Sequence, residues 1–249
     1  MTSITPLQPV LTRVRHDTRR RRLTVLASDR VTPNMLRLRL GGLELAGFVS
    51  PSPSDHIKLF VPDGTGGQIM RDYTPRRFDV TAGWLEIDFA LHDAGPATRW
   101  ALQARVGDEA EIGGPRGSQV IGGPIAEWLL IGDETALPSI ARRIEDLPPG
   151  TPVTSIVAIP QEADRHEIAT AADHRVIWVS RSDPSDPAPL LAALAEVPLR
   201  PSQFVWIAAE AAVARAVRDA VLARGVSPDW LRAAGYWLAG TADASVKDL

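Results

Sequence analysis

The sequence contains no cysteine, which excludes a disulfide scaffold, a thiol nucleophile, an iron–sulfur cluster and any cysteinyl metal site. Its five histidines (His16, His56, His92, His166, His174) are scattered and form no metal-binding spacing, so no resident metal is expected. No apolar run approaches the length of a membrane span, and integral membrane association is excluded. Arg19 to Arg22 follow a polar leader with no long apolar segment, so no secretory signal is expected and the reading is cytoplasmic. The net charge of −3 lacks the basic excess that nucleic acid demands. Lysine is also scarce: Lys58 and Lys247 are the only two, and arginine supplies every other fixed cation. Any redox chemistry must therefore come from a bound organic cofactor.

What is present is a soluble globular composition, 45% hydrophobic and 23% charged over 249 residues, enough for two domains. Residues 1–20 are polar with Pro6 and Pro9 and read as a flexible arm. From Leu23 the chain alternates. Leu36, Leu38 and Leu40 interleave with Arg37 and Arg39, and Ile57, Leu59 and Val61 interleave with Lys58 and Phe60. Leu85, Ile87 and Phe89 point one way and Asp88 and His92 the other. One helix opens at Pro96 after Gly95, with Ala97, Trp100, Ala101 and Ala104 on one side. Many short strands and a single helix predict an antiparallel barrel over 21–122. From Trp128 apolar strands alternate with helices over 135–147, 190–195 and 210–224. This pattern predicts a parallel α/β domain over 123–249.

Chemistry concentrates in Arg71-Asp72-Tyr73-Thr74-Pro75-Arg76: two guanidinium forks, a ring and a hydroxyl within six residues. A flavin nucleotide needs charge for its pyrophosphate, a flat apolar surface and a polar donor near the reacting edge; an exposed arginine-rich strand end would look similar. Gly95, Pro96, Ala97 and Thr98 open a helix whose small residues let a phosphate approach the backbone. Trp100 reads either as core or as a cofactor contact, and His92 as either a structural histidine or a contact. Asp133, Glu134, Thr135 and Ala136 lie where the first parallel strand meets its helix, the usual place for a nucleotide in an open α/β sheet. The fingerprint G-x-G-x-x-G is absent, and Asp133 or Thr135 also suits a helix cap. Arg181 follows a parallel strand, and could hold a 2′-phosphate or stand as a loop arginine beside Asp183. Lys58 faces away from the barrel interior, where a solvated lysine or a cation for an anionic chelate would both fit.

In this order and at these intervals the pieces resemble the siderophore-interacting proteins, the FAD-dependent NAD(P)H ferric-siderophore reductases of the ferredoxin-reductase-like superfamily. The resemblance runs through His56-Ile57-Lys58-Leu59, the arginine–tyrosine hexapeptide, Asp88-Phe89 through His92, Gly95 to Ala101 and Gly114-Pro115-Arg116-Gly117-Ser118. It continues through Gly132 to Pro138, Glu210-Ala211-Ala212 and Gly235-Tyr236-Trp237. It implies an FAD-binding barrel followed by an NAD(P)H-binding α/β domain that passes electrons from NADPH or NADH through flavin to a ferric siderophore, releasing Fe(II). Tyr73 and Thr74 are then the catalytic candidates. Arg71, Arg76, Asp88, Phe89, His92, Gly95 to Thr98 and Trp100 extend the flavin site. Asp133 to Ala136, Arg181 and Trp237 belong to the nicotinamide side. Lys58 and Lys247 attract the substrate, and ferredoxin stays open as an alternative donor. The segment after Trp237 departs from the family in its weaker basic charge. Two rival functions remain, a flavin reductase serving another acceptor and a siderophore-binding protein without turnover.

Overall fold

The computed structural model describes residues 8–63, 65–91, 95–241 and 244–249. The alternating segments of the first half form β2 (Arg20–Thr32), β3 (Met35–Gly41), β4 (Ile57–Pro62), β5 (Gln68–Tyr73), β6 (Arg77–Asp79), β7 (Trp84–Ala90) and β8 (Glu109–Gly113). They pair antiparallel in one seven-stranded sheet of order β5-β4-β8-β2-β3-β7-β6, with β5 and β6 as its edges. The sheet curls so that Leu23, Leu38, Leu40, Ile57, Leu59, Leu85, Ile87 and Ile112 face one another in a core, each at most 2% exposed. Period-two alternation produces this inner face, and each fully buried aliphatic side chain contributes about 1.5–3 kcal/mol. Helix α1 (Pro96–Gln103) plugs the curl with Ala97 and Ala101. The outer face carries cross-strand ion pairs: register places Arg37 opposite Asp88 and Arg39 opposite Glu86.

The second half forms β10 (Glu127–Gly132), β11 (Pro152–Ile159), β12 (Asp173–Ser180), β13 (Gln203–Glu210) and β14 (Leu231–Trp237). These make a parallel sheet of order β12-β11-β10-β13-β14. Helices α2 (Leu137–Asp146), α3 (Ala188–Ala195) and α4 (Ala211–Ala223) cover it, and separate apolar clusters fill its two faces. The order places the reversal of strand progression between β10 and β13, the crevice where such sheets bind ligands. Gly132 is required there: a Cβ would lie 2.6 Å from the Ala208 carbonyl oxygen.

Two expectations change. Part of the expected N-terminal arm is a strand, β1 (Val10–Arg15), paired antiparallel along its whole length with β9 (Gly117–Gly122). The backbone ladder holds it, since all its side chains except Leu11 are exposed and leave little apolar signal. Helix α2 begins at Leu137 rather than Thr135. The Asp133 carboxylate takes the Thr135 and Ala136 backbone N–H groups into a turn first, and so acts one step ahead of a conventional cap.

The two halves are joined by polar ties. Asp164 accepts from Thr32 Oγ1, Asn34 N and Asn34 Nδ2, each at 2.8 Å, gripping the β2–β3 turn. Glu145 on α2 receives both terminal nitrogens of Arg76 at 2.6 and 2.7 Å, and Arg77 as well. Arg142 of the same helix reaches Ser50 and the Pro75 carbonyl.

Candidate functional site

The end of β5 meets the carboxyl ends of the parallel strands. Tyr73 is half-buried, and its ring packs on Phe89 with centroids 4.4 Å apart; burial pushes its phenol far above the ordinary range. Thr74 is the next residue and is buried. Its Oγ1 lies 3.0 Å from Ser139 Oγ on α2, which in turn lies 3.0 Å from the Tyr236 hydroxyl on β14. Three hydroxyls therefore form a continuous chain from one half of the molecule to the other. Burial, against the pull of the Ser139 bond, pushes the Tyr236 phenol up to about 12. It stays protonated and able to donate.

Asp133 sits at the centre of the strand ends and is 1% exposed. One oxygen accepts from Thr135 N at 2.9 Å and Thr135 Oγ1 at 2.6 Å; the other accepts from Glu210 N and Trp237 Nε1, both at 3.0 Å. A single carboxylate so ties β10, β13 and β14 together and fixes the indole of Trp237. Glu210 caps α4 through the N–H groups of Ala212 and Val213 and also accepts from Ala239 N. Glu134 is buried beside Asp133. Burial first and the neighbouring charge second push its carboxyl up to about 7, against Arg181, whose Nη2 donates at 2.6 Å.

The two lysines, distant in sequence, converge on Asp72. Lys58 Nζ is 2.9 Å from one carboxylate oxygen and Lys247 Nζ 3.0 Å from the other, with His56 Nε2 3.3 Å from Lys247. Burial, then the adjacent Lys247 charge, lowers the His56 imidazole. The pairing brings the final residues of the chain against the β4–β5 edge, next to Tyr73.

Several expected contacts are otherwise engaged. Arg76 is not available to a phosphate, because Glu145 takes it in a bidentate pair and Asp88 lies 3.6 Å away. Asp88 is held by Arg37 at 2.6 and 2.7 Å. Phe89 is 1% exposed and supports Tyr73 from beneath as core. Trp100 is partly buried and packs against the same core, its ring centroid 6.3 Å from that of Phe89. Arg181 is not a loop arginine beside Asp183; it is buried against Glu134 and Asp133. Ala136 is fully buried in the second core. His92 lies outside the described residues. Arg71 is half-buried on the β5 edge, where its Nη1 donates to the Met70 carbonyl.

Ser139 lies just past the Gly132–Pro138 motif and carries no chemical signal of its own, and Asp72, His56 and Tyr236 stand in the sequence only as members of longer motifs. Hydroxyls carry little signal in sequence, even where, as with Tyr236, the neighbour is a conspicuous tryptophan. The remaining residues fit a flavin nucleotide. Arg71 supplies a fork, and Tyr73 and Thr74 a ring and a hydroxyl. Among the described residues, a Cβ placed on Gly95 would meet nothing within 4 Å, so none of them crowds the N-terminus of α1 where a phosphate would sit.

Comparison with known proteins agrees with this geometry. The family described as "Siderophore-interacting protein" matches residues 125–240, and "Siderophore-interacting FAD-binding domain" matches 24–69 and 64–119. The NADPH-dependent ferric-chelate reductase of Escherichia coli (strain K12) is 33% identical over 246 residues, covering 90% of this chain and 95% of that protein. Ferric vibriobactin reductase ViuB of Vibrio cholerae is 30% identical over 190 residues, covering 68% and 69%. The crystal structure of a siderophore utilization protein from T. fusca superposes with a TM-score of 0.87 at 33% identity, covering 94% of this chain and 98% of that one.

Proposed function

This chain belongs to the siderophore-interacting protein family, and on that premise we propose that it is an FAD-dependent reductase that draws electrons from NADPH and delivers them to ferric siderophores, releasing Fe(II). The observation that carries the reading is the convergence of Lys58, Lys247 and His56 on Asp72, the residue before Tyr73 on β5. Two ammonium groups against one carboxylate leave a net positive charge at the mouth of the flavin site, which suits an anionic iron chelate.

Bound flavin supplies the conversion between a two-electron hydride donor and a one-electron metal acceptor. The protein positions, desolvates and tunes. Arg71 neutralises phosphate charge, and the small residues Gly95 to Thr98 admit it to the N-terminus of α1. Tyr73 gives the ring a flat apolar wall, braced from behind by Phe89. Thr74 offers its hydroxyl at the reacting edge, held there by Ser139 and Tyr236. Asp133, Glu134 and Thr135 with Trp237 line the nicotinamide side, where the parallel strands end.

The reading is tested by anaerobic stopped-flow on the FAD-loaded protein. NADPH, NADH or reduced ferredoxin is expected to bleach the flavin, and a ferric chelate to restore its colour. Reoxidation by protein acceptors but not by chelates would identify a general flavin reductase. A purified protein that is colourless and refuses FAD would identify a siderophore binder without turnover.

A further inference from the structure

Four arginines are buried: Arg21, Arg76, Arg142 and Arg181. Three have an acid within ion-pair range. Arg76 has Glu145, Arg181 has Glu134, and Arg142 has Asp146 at 3.9 Å. Arg21 is the exception: it is 4% exposed, and among the described residues no carboxylate pairs with it. Its contacts are three backbone carbonyls, those of Arg19, Gly114 and Gly47, at 3.4–3.5 Å, the long limit of a hydrogen bond. Its Nε is buried and has no partner at all. A guanidinium cannot escape this by losing its proton under physiological conditions, so a positive charge that Glu44 opposes only from beyond ion-pair range sits at the end of the barrel core over the ring of Phe48.

That guanidinium lines a polar cavity of about 300 Å³, together with Arg15, His16, Asp17, Gly47 and Gly114. The space is larger than a lone water needs and lies at the lower end of small-molecule sites. His16 is held in place by Ser118, whose hydroxyl donates to buried Asp55, so the imidazole is set rather than loose. Arg19 stands close by, bonded to the Ala46 carbonyl. The one opposing charge in the lining is Asp17, on the exposed rim. None of these residues belongs to the Asp72 cluster, the hydroxyl chain or the strand-end crevice.

We propose that this cavity is a second binding site, separate from the flavin and chelate sites, for a small molecule bearing a phosphate or carboxylate group, with Arg21 as its buried anchor and Arg15 and His16 as its rim. A planar fork facing a planar or tetrahedral oxyanion forms two parallel charge-assisted bonds, which carbonyl contacts at 3.4 Å do not supply. The site is also placed to be felt elsewhere. The segment that lines it at Gly47 and Val49 continues directly to Ser50, the residue that Arg142 of α2 grips from the other half of the molecule.

The test is isothermal titration of the FAD-loaded protein with inorganic phosphate, with citrate, and with chloride at matched ionic strength. Saturable binding of phosphate or citrate, but not chloride, is expected, and the stronger of the two identifies the group. Arg15→Gln and His16→Gln should each weaken it roughly tenfold, the loss of one charge-assisted contact, while Asp17→Asn should tighten it. Arg21→Lys keeps the charge and removes the fork. If it melts at the wild-type temperature, binding should be lost; if it does not fold, the exposed variants Arg15→Gln and Asp17→Asn decide. Absence of saturable binding, or binding that neither rim variant alters, overturns the proposal. So does binding to the apoprotein that disappears once FAD is loaded, because the cavity would then be part of the flavin site.

Discussion

Replacing Glu145 by Gln removes one charge from the tie between the two halves. The Arg76 side chain is 5% exposed and that of Glu145 15%, and Arg77 closes the cluster from outside. Burial works against the Glu145 carboxylate, but the hydrogen bonds and charges of Arg76 and Arg77 outweigh it and hold the carboxyl down at about 2, against an ordinary 4.5. At ~1.36 kcal/mol per decade of proton affinity that depression corresponds to roughly 3 kcal/mol, and solvent screening of a partly open pair reduces it to about 2. The folded value is the depressed one. The contribution is therefore complete above the unfolded value near 4.5 and is lost as pH falls through that value toward 2. Urea unfolding of the apoprotein, followed by tryptophan fluorescence, should place Glu145→Gln about 2 kcal/mol below wild type at pH 7. The gap should narrow between pH 5 and pH 3, because the unfolded wild-type chain then takes up a proton on Glu145 that the folded state still refuses. A variant within ~0.5 kcal/mol of wild type at pH 7, or a gap that stays constant with pH, would refute the assignment of this carboxylate as the main electrostatic tie.

Arg71→Ala should weaken FAD binding by roughly tenfold or more, so that the protein purifies pale and regains colour only with excess cofactor; full retention of FAD counts against its phosphate role. Lys58→Ala and Lys247→Ala should each raise KM for anionic ferric chelates about two- to fivefold with kcat unchanged. The double variant should exceed the product of the two, since Asp72 then faces the chelate uncompensated, and steady-state kinetics with a neutral chelate should show neither effect. Ser139→Ala deletes the middle hydroxyl and leaves Thr74 and Tyr236 buried without it, costing ~1–3 kcal/mol by thermal or urea unfolding. A Ser139→Thr variant that retains the hydroxyl should recover most of that loss.

The strands were readable because burial imposes a period. Leu36, Leu38 and Leu40 alternate with arginines as a half-buried strand does, and the same logic marks β4 and β7, while continuous apolar runs mark β10, β11, β12 and β13. Strand β1 leaves no such mark in the sequence, because backbone bonds stabilise it with scarcely any apolar face. At the site, the hexapeptide around Tyr73 was conspicuous from residue types alone, and the scarcity of lysine drew attention to Lys58 and Lys247. The sequence could not reveal that one aspartate receives both. Arg76 and Asp88 misled for a single reason. A cation's residue type announces that it wants an anion, not whether the protein itself supplies one, and the partner of Arg76 lies on a helix in the other half of the chain. Arg181 is the same case, turned inward by Glu134 and Asp133.

Asp164 moors the β2–β3 turn at one place, and Glu145 with Arg142 moors the start of β6 and the Ser50 segment at another. Two separated moorings, like the paired pins of a door, define a line, and a small swing about that line can leave both tied while displacement in any other direction must break one of them.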